Sequence, residues 1–341
     1  MDGGSVGRMT RALVCNRLGD EDLLEYRDDW PVGPCGPGQV RIDVKSASVN
    51  FPDTLVIRGL YQQKPNLPFV PGNECAGVVV EVGESAGELS VGDRVLALVG
   101  TGAFAAEVVA RTPPAQMHVI PEQMTWDHAA ALNLTYGTAL HALHRRAQLR
   151  PNEVVLITGA AGGCGLAAVQ IAKAMGAYVV AIAGGPDKVA LAASMGADAT
   201  IDHQLGGSID EQVRAVTDGR GADVVFDTVG GADVRPLLRA MAWNARFLVV
   251  GFAGGEIPVI KANQTILKSI SIVGIAYGAS AIVDPGSNRE DFRQLFDWYR
   301  AGMIVPHIGH RFDLEHAADA IRTVGERRAM GKVVITIGSP T

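Results

Sequence analysis

The sequence lacks the signals of a membrane-spanning or secreted protein. Although 48% of its 341 residues are apolar, no window supplies the roughly 18 uninterrupted apolar residues that a transmembrane helix needs. The first ten residues contain Gly, Ser and Arg with no apolar segment behind them, which is not the pattern of a secretory signal. We therefore expect a cytoplasmic protein with no membrane partner.

Excess positive charge and paired cysteines are missing as well. The formal net charge is −6 with Lys and Arg scattered along the chain, so the sequence has no basic face for nucleic acid. The four cysteines have no close paired spacing, which argues against a disulfide framework or a cysteine metal site: Cys15, Cys35, Cys75 and Cys164. His141 and His144 lie three apart on a predicted helix, and we interpret them as packing or surface residues.

The first third of the chain has the pattern of a β-rich unit. Residues Val40–Lys45 alternate apolar and charged side chains, which is the two-residue period of a half-buried strand. Ala76–Val82 and Val91–Leu98 predict further strands, separated by Gly and Pro. Across 127–149 breakers are few, and we predict helical segments interrupted at Gly137.

Strands and helices then alternate, and the length of the chain predicts two domains. The predicted strands are Val154–Thr158, Tyr178–Ala183, Asp198–Asp202, Asp223–Val229, Arg246–Gly251 and Ile270–Ala276. The predicted helices are Gly165–Met175, Pro186–Met195, Ser208–Thr217, Val234–Ala242 and Arg289–Ala301. Such alternation indicates a parallel sheet covered on both faces. A last strand, Lys332–Ile337, is expected to return to the β-rich unit.

The turn between the first of these strands and its helix is the most informative segment. It reads Thr158-Gly-Ala-Ala-Gly-Gly-Cys-Gly165. Because glycine has no Cβ, backbone N–H groups can approach a pyrophosphate here, and the helix N-terminus adds about half a positive charge. We predict a dinucleotide site with four contact residues: Ala161, Gly162, Gly163 and Cys164. We expect Cys164 to be a small apolar filler without a redox role.

The end of the second strand predicts which dinucleotide binds. NAD-binding proteins hold the ribose 2′-OH with an acidic residue about 20 positions after the turn. Ala183 stands at that position, 20 residues after Gly163, so no carboxylate repels a 2′-phosphate. Gly184 follows, and Lys188 on the next helix can neutralise the phosphate; the alternative for Lys188 is a solvated surface lysine. We therefore expect NADPH rather than NADH, with Gly184 and Lys188 among its contacts.

Two later loops follow strands at their carboxyl ends, where ligands bind in open α/β sheets. They are Asp227–Gly231 and Val250–Gly254. Their glycines permit a close approach to the nicotinamide ribose. We predict cofactor contacts from Val229, Gly251, Phe252 and Ala253; the alternative is that both loops are ordinary strand-to-helix turns.

Three further segments carry a family resemblance: Ser48–Tyr61, Val70–Val80 and Val91–Val95. With the glycine turn, they resemble the quinone oxidoreductase branch of the medium-chain dehydrogenase/reductase superfamily, from about Arg11 to Ile337. The resemblance implies an α/β fold with a doubly wound Rossmann domain and a β-rich GroES-like catalytic domain, with the active site in the cleft between them. It implies a catalytic domain in two pieces, 1–132 and 284–341, and an NADPH-binding domain at 133–283.

The resemblance also indicates that zinc ligands are missing. Zinc-dependent relatives carry a Cys near the position of Phe51 and Gly-His-Glu where this chain has Gly72-Asn73-Glu74. Neither Phe51 nor Asn73 is a suitable zinc ligand. We therefore expect no metal, and hydrogen-bond donors must stabilise the charge that hydride addition creates on an acceptor oxygen.

Candidate catalytic residues follow from the resemblance. It implies that Asn50 and Thr138 lie beside the nicotinamide and orient the ring or the acceptor. In related enoyl-thioester reductases a tyrosine at the position of Tyr61 donates a proton, which Tyr retains at pH 7 because its unperturbed pKa is about 10. The alternative for Tyr61 is an aromatic that packs on the core. Leu55 and His203 replace tyrosines typical of quinone reductases; we expect Leu55 to make the cleft more apolar and His203 to contact the 2′-phosphate.

These inferences predict a zinc-independent, NADPH-dependent oxidoreductase. Its partner is a small electrophilic acceptor, either a quinone or an activated alkene (an enone). One alternative is an enoyl-thioester reductase, for which Arg58, Arg289 and Arg293 would supply a basic patch. A second alternative is a noncatalytic NADPH-binding protein. The family also suggests a homodimer formed through the edge strand of the Rossmann sheet, near 269–276.

Overall fold

The computed structural model describes residues 8–111 and 117–338 and divides into two compact units. The first unit comprises Met1–Leu134, Ala281–Phe292 and Pro306–Thr341, and the second comprises Thr135–Ser280 and Arg293–Val305. The second unit thus interrupts the first in sequence. Residues 293–305 belong to the second unit, whereas the predicted catalytic domain includes them. The predicted boundaries at 132/133 and 283/284 stay a prediction.

The strands fall into three groups along the chain. The first group is β1 (Arg8–Cys15), β2 (Leu24–Val32), β3 (Gln39–Val49), β4 (Glu74–Val82), β5 (Arg94–Leu98), β6 (Glu107–Arg111) and β7 (Met117–Val119). The second group is β8 (Val154–Ile157), β9 (Tyr178–Ala183), β10 (Ala199–Asp202), β11 (Ala222–Asp227), β12 (Met241–Val249) and β13 (Ser271–Gly274). The last group is β14 (Ile308–Asp313) and β15 (Lys332–Thr336).

The helices are mostly short. They are α1 (Phe51–Val56), α2 (Trp126–Ala130), α3 (Asn133–Leu140), α4 (Gly163–Ala174), α5 (Pro186–Ser194), α6 (Ile209–Ala215), α7 (Arg235–Ala240), α8 (Asn263–Ile266), α9 (Tyr277–Val283), α10 (Pro285–Arg300) and α11 (Ala317–Gly325). Helix α3 continues as a π-helical turn over His141–Arg146. Within the described residues, no helix has both the length and the apolar character needed to cross a bilayer.

A mostly antiparallel sheet organises the first unit. Its strand order is β14-β15-β3-β4-β5-β7, with β6 also paired to β3, and β1 and β2 form a separate ribbon. Strand β15 runs antiparallel to β3 and places Val333 opposite Val49. This pairing confirms that the last strand returns to the β-rich unit.

The alternation predicted for β3 holds except at Arg41, since Asp43 and Lys45 on the polar face are partly exposed. Val40, Ile42 and Val44 are fully buried in the core of the first unit, as the two-residue period predicts. Arg41 lies on the opposite face but is also buried, because the strand has neighbours on both edges and its side chain is covered. The Arg41 guanidinium compensates by donating to Glu81 Oε2 at 2.8 Å.

A parallel sheet of order β10-β9-β8-β11-β12-β13 organises the second unit. Every pairing in it is parallel. The chain starts at the centre with β8, winds outward through β9 and β10, and then returns to continue on the other side with β11 to β13. All residues of β8 and β11 are buried, as expected for central strands covered on both faces. This arrangement confirms the predicted doubly wound α/β fold beside a β-rich unit.

The predicted interruption at Gly137 is wrong. Gly137 lies inside α3, and the break falls earlier, between α2 and α3. A Cβ atom on Gly137 would lie 2.4 Å from Cζ of Tyr277, so the glycine makes room for that ring. Glycine is disfavoured inside helices, but here its small size permits a tertiary contact that sequence periodicity does not reveal.

The boundary between α7 and β12 also differs from the prediction. The helix ends at Ala240 and the strand begins at Met241, whereas the prediction extends the helix to Ala242 and starts the strand at Arg246. Met241 pairs with Ala222 of β11 and is fully buried. Met241 and Ala242 therefore belong to the sheet, although their local sequence is equally compatible with a helix.

Replacing Gly77 by alanine is expected to destabilise the first unit. A Cβ atom there would lie 2.2 Å from the backbone oxygen of Asp43 on the adjacent strand β3, and neither backbone can move without disturbing the sheet. We expect Gly77→Ala to lower the free energy of unfolding by about 1–3 kcal/mol, measured by thermal and denaturant unfolding. Gly33→Ala is the control, because a Cβ atom on Gly33 meets no atom within 4 Å. Equal stabilities of the two variants would contradict this account.

Candidate functional site

The glycine turn of the second unit joins β8 to α4. Gly162 precedes the helix in an extended conformation, and α4 begins at Gly163. A Cβ atom on Gly165 would lie 2.2 Å from the backbone oxygen of Gly159 and 2.7 Å from Cα of Ala160. The turn therefore packs so tightly that only glycine fits at 165. The 12-residue helix α4 starts within this turn, and a helix N-terminus can bind an anion through its first backbone N–H groups.

Asp227, at the end of β11, ties a second loop to this turn. Its Oδ1 accepts hydrogen bonds from Thr158 Oγ1 at 2.5 Å and from the Val229 N–H at 3.1 Å. Thr228 Oγ1 donates in turn to the Thr158 backbone oxygen at 3.0 Å. Val229 consequently lies beside the glycine turn, 3.2 Å from where a Cβ atom on Gly159 would be.

The loop after β12 lies against the same place. The Ala253 N–H donates to the Thr228 backbone oxygen at 3.0 Å, and the position of a Cβ atom on Gly230 is 3.0 Å from Cδ1 of Phe252. The Gly251 N–H also bonds the end of β11. The structure thus gathers four predicted cofactor residues at one edge of the parallel sheet: Val229, Gly251, Phe252 and Ala253.

A second corner of the site lies at the end of β9. A Cβ atom on Gly184 would lie 2.7 Å from His203 Nε2 and 3.1 Å from Gln204 Nε2. Asp202 Oδ1 fixes the corner by accepting from the Gly185 N–H at 2.9 Å and the Gln204 N–H at 3.0 Å. These two bonds, the Gly185 one first, hold the pKa of Asp202 below its usual value. Gly184 and His203 are therefore neighbours, and Gln204 is an addition that sequence reasoning missed.

The other predicted residues of the second unit are more dispersed. Lys188 is half-buried on the first turn of α5, close in sequence to Gly184. Thr138 is half-buried on α3, where the residues on either side of it are buried. Ala161 is buried and Cys164 half-buried within the glycine turn.

A buried polar cluster surrounds Asn50 in the first unit. Its Nδ2 donates to Glu74 Oε1 at 2.8 Å, and its Oδ1 accepts from Lys332 Nζ at 2.7 Å. Lys332 Nζ also donates to Glu74 Oε1 at 3.0 Å. The residues Glu74 and Lys332 are 0% and 3% exposed, so an ion pair shielded from water holds the Asn50 amide.

Further donors complete the shell around the Glu74 carboxylate. Oε1 accepts from Ser48 Oγ at 2.5 Å, and Oε2 accepts from the Leu134 N–H at 2.8 Å. A buried carboxylate is tolerated only where it is paired and hydrogen-bonded, and both oxygens of Glu74 meet that requirement.

Asp53 adds a titratable group to the cluster. It is buried on α1, and its Oδ2 accepts from the Asn50 backbone N–H at 2.7 Å. Burial raises the pKa of Asp53 to about 7, although the Asn50 N–H and the Lys332 charge both oppose the rise. The net charge of the cluster therefore changes near neutral pH.

Tyr61 lies in the loop after α1 and packs against the core of the first unit. Burial raises the pKa of its hydroxyl, and the charge of Asp53 raises it further. The hydroxyl accordingly keeps its proton at neutral pH and can act as a donor. Tyr61 and Asn50 belong to the first unit, whereas Thr138 belongs to the second.

Sequence reasoning missed Lys332, Glu74 and Asp53 as members of the cluster. Glu74 carried a signal, since it is a carboxylate next to an apolar strand with no charged neighbour in sequence. Lys332 carried none, because it lies 258 residues from Glu74 and reaches it only through the pairing of β15 with β3.

Comparison with known protein families identifies both parts of the chain. Residues 36–122 match the family described as "Alcohol dehydrogenase GroES-like domain", and residues 163–301 match "Zinc-binding dehydrogenase". The quinone oxidoreductase-like protein 2 homolog of Nematostella vectensis is 40% identical over 327 residues, which cover 95% of this chain and 88% of that protein.

Two solved structures resemble the chain over nearly its whole length. The quinone oxidoreductase of Pseudomonas syringae pv. Tomato DC3000 is 30% identical with a TM-score of 0.88, covering 96% of this chain and 100% of that one. Mycobacterial Rv1454c complexed with NADPH is 27% identical with a TM-score of 0.88, covering 96% of this chain and 99% of that one.

The side chains present do not fit the zinc ion that one of these family descriptions implies. Phe51 offers no ligand atom, and Asn73 offers only a weak amide oxygen. In 8–111 and 117–338, no group of three or more His, Cys, Asp or Glu side chains is placed to hold a metal ion. Glu74, the one carboxylate of the Gly-Asn-Glu segment, is bound by Lys332 instead.

The contribution of Asp53 to protein stability is expected to fall as the pH rises from about 4 to 7. Its carboxyl has a pKa of about 7 in the folded chain against an ordinary value of 3.8, so the folded state binds more protons in this interval. The free energy of unfolding then drops by up to ~1.4 kcal/mol per pH unit and levels off above pH 7. Asp53→Asn removes this slope.

Denaturant unfolding of both proteins between pH 4.5 and 8 measures the effect. The difference in unfolding free energy should move in favour of Asp53→Asn as the pH rises. A difference that stays constant with pH would show that the carboxyl titrates in its ordinary range.

Proposed function

The chain belongs to the quinone oxidoreductase-like branch of the medium-chain dehydrogenase/reductase superfamily, and from this we propose that it transfers hydride from NADPH to a quinone or an activated alkene without zinc. The observation that carries the proposal is the β8–α4 turn, a tight glycine-rich cradle at the carboxyl edge of a parallel sheet in which Gly165 has no room for a Cβ atom. NADPH supplies the hydride when bound, while the protein supplies binding, orientation and exclusion of water.

The cradle suits the pyrophosphate of a dinucleotide. Ala161, Gly162, Gly163 and Cys164 would present backbone N–H groups to its oxygens. The N-terminus of α4 adds the partial positive charge of an aligned helix, about half an elementary charge. No cationic side chain is required for this part of the binding.

The corner at Gly184 supports NADPH over NADH. Ala183 supplies no carboxylate to repel a 2′-phosphate, and His203 Nε2 lies beside Gly184, where it can donate a hydrogen bond. Lys188 would add a full positive charge. The nearby Asp202 carboxylate is already occupied by two backbone N–H groups, which reduces its repulsion of a phosphate.

Further residues are assigned to the nicotinamide end of the cofactor. In the second unit, the loops tied together by Asp227 would contact the ribose and ring through four residues: Val229, Gly251, Phe252 and Ala253. Thr138 would orient the ring. Asn50 is a second polar side chain that we assign to the nicotinamide or the acceptor.

Tyr61 is the proposed proton donor. Hydride transfer to an activated alkene leaves negative charge on the acceptor, which is relieved when a proton is delivered from a positioned acid. The Tyr61 hydroxyl is half-buried and its pKa is raised, so it carries the proton that the reaction needs. Without a metal, this donor and backbone N–H groups stabilise the developing charge.

Location and assembly complete the proposal. None of the four cysteines forms a disulfide, in keeping with a cytoplasmic protein.

We propose a homodimer in which β13 pairs with β13 of a second copy. Strand β13 is the edge of the parallel sheet, and exposed apolar side chains lie on it and in the segment leading to it: Ile257, Val259, Ile266, Leu267 and Ile272.

The proposed function is tested by following the oxidation of NADPH and NADH spectrophotometrically against a quinone, an enone and an enoyl-CoA. We expect turnover that prefers NADPH, survives a chelator and is faster with the quinone or enone than with the enoyl-CoA. Arg58 is already paired with Glu21 at 2.8 Å, which removes one cation expected of a thioester site. Chelator-sensitive alcohol oxidation with NAD would refute the proposal, and tight NADPH binding without turnover would indicate a noncatalytic protein.

Two variants resolve the assigned roles in the same assay. Lys188→Ala should raise the KM for NADPH about tenfold relative to NADH, as loss of a charged hydrogen bond predicts. The control Lys261→Ala, which changes an exposed lysine, should leave this preference unchanged.

Tyr61→Phe should slow alkene reduction by about a hundredfold, the scale of general acid catalysis, and quinone reduction much less. Tyr26→Phe is its control, because Tyr26 packs against the same core.

The dimer is tested by the mass of the protein in solution. We expect twice the chain mass of 35.8 kDa by light scattering, and a single chain mass for the variant Leu267→Lys with Ile272→Lys. Val91→Lys, which changes an exposed apolar residue of the first unit, should leave the mass unchanged. A monomeric wild-type protein, or a dimer that persists in the double variant, would contradict pairing through β13.

A further inference from the structure

The amide of Asn50 has one hydrogen-bond orientation in this structure. Lys332 Nζ lies 2.7 Å from its Oδ1, and Glu74 Oε1 lies 2.8 Å from its Nδ2. An ammonium group can only donate, and an ionised carboxylate can only accept. Rotating the amide would set its N–H groups against the ammonium and its oxygen against the carboxylate. The two neighbours therefore exclude the rotated form.

Mutual compensation keeps these two neighbours charged. Lys332 Nζ lies 3.0 Å from Glu74 Oε1, and both side chains are buried. Ser48 Oγ and the Leu134 N–H supply further donors to Glu74. An isolated buried charge tends to neutralise itself, whereas a paired and hydrogen-bonded one persists.

Both N–H groups of the Asn50 amide face acceptors within the first unit. One N–H bonds Glu74, and the other has the Ser48 backbone oxygen at 3.4 Å. The amide oxygen, by contrast, has two lone pairs and gives one to Lys332. What Asn50 retains for a ligand is a hydrogen-bond acceptor.

We infer that Lys332 and Glu74 are positioning residues that present the oxygen of Asn50, and not its N–H groups, to the cofactor. The inference rests on the proposed function and narrows it. Asn50 then serves a ligand group that donates a hydrogen bond, such as the carboxamide of a nicotinamide ring. Stabilisation of the acceptor oxyanion is left to other donors, of which the Tyr61 hydroxyl is one.

A matched pair of dinucleotides tests the inference by binding alone. NADP⁺ carries a carboxamide, and its 3-acetylpyridine analogue carries a methyl ketone that cannot donate a hydrogen bond. We expect the wild-type protein to bind NADP⁺ about five- to tenfold more tightly than the analogue, the value of one hydrogen bond. Isothermal titration calorimetry without an acceptor measures both Kd values.

Removing both charged neighbours should abolish this discrimination. In the double variant Lys332→Met with Glu74→Gln neither neighbour fixes the amide, because a glutamine side chain can donate as well as accept. The ratio of the two Kd values should then fall to about twofold or less, within the spread of a lost weak interaction. The double variant Lys332→Gln with Glu74→Gln should behave alike, and it serves as the test if the first one does not fold.

Arg41→Met is the control for general destabilisation. Arg41 is another buried cation of the first unit, and it bonds Glu81 at 2.8 Å, away from the Asn50 cluster. This variant should lower the Tm while retaining the wild-type ratio of Kd values. A merely structural role for Lys332 and Glu74 predicts the same behaviour for both Lys332 variants and for Arg41→Met.

The outcomes separate this inference from the function on which it rests. Equal affinity of the wild-type protein for both dinucleotides, or a wild-type ratio in the folded Lys332 variants, overturns the positioning role alone. A wild-type protein that binds neither dinucleotide overturns the proposed function, and the inference with it. Discrimination in the wild type and in Arg41→Met, lost in both Lys332 variants, supports it.

Discussion

The buried charge of Glu74 is the constraint on which the first unit depends. A carboxylate without solvent must be matched by a cation and by hydrogen-bond donors, and these come from distant parts of the chain. Ser48 comes from β3, Leu134 from α3 and Lys332 from β15. The register that sets Val333 opposite Val49 brings Lys332 to the cluster. The pairing of β15 with β3 thus completes this part of the sheet, and it also neutralises Glu74 and fixes the Asn50 amide.

The candidate site of the second unit is built by a different physical means. It consists of backbone rather than of charged side chains, because glycine lets the chain fold tightly where parallel strands end. Gly165 has no room for a Cβ atom, and Gly184 lies directly against His203. The Asp227 carboxylate then fixes the loops around this space with hydrogen bonds to Thr158 and Val229. Such a surface suits a cofactor that carries several phosphate charges along its length.

Much of the fold was predictable, since periodicity and glycine placement are local properties. The alternation of strands and helices gave the parallel sheet, and the two-residue period of β3 identified its core face. The errors arose where packing overrides local preference. Gly137 lies inside a helix, where its missing Cβ atom makes room for Tyr277, and Arg41 tolerates burial because Glu81 of β4 pairs with it. Neither partner is near in sequence.

The sequence by itself determined the architecture of both units, the glycine turn and the absence of zinc ligands at Phe51 and Asn73, because these depend on residue type and short spacing. The tertiary structure decided which side chains meet. Lys332 reaches Asn50 and Glu74 across more than 250 residues, and His203 reaches Gly184 by the pairing of β10 with β9. Hydrogen bonds and ion pairs act over a few ångströms, so their partners become visible only once the strands have been brought together.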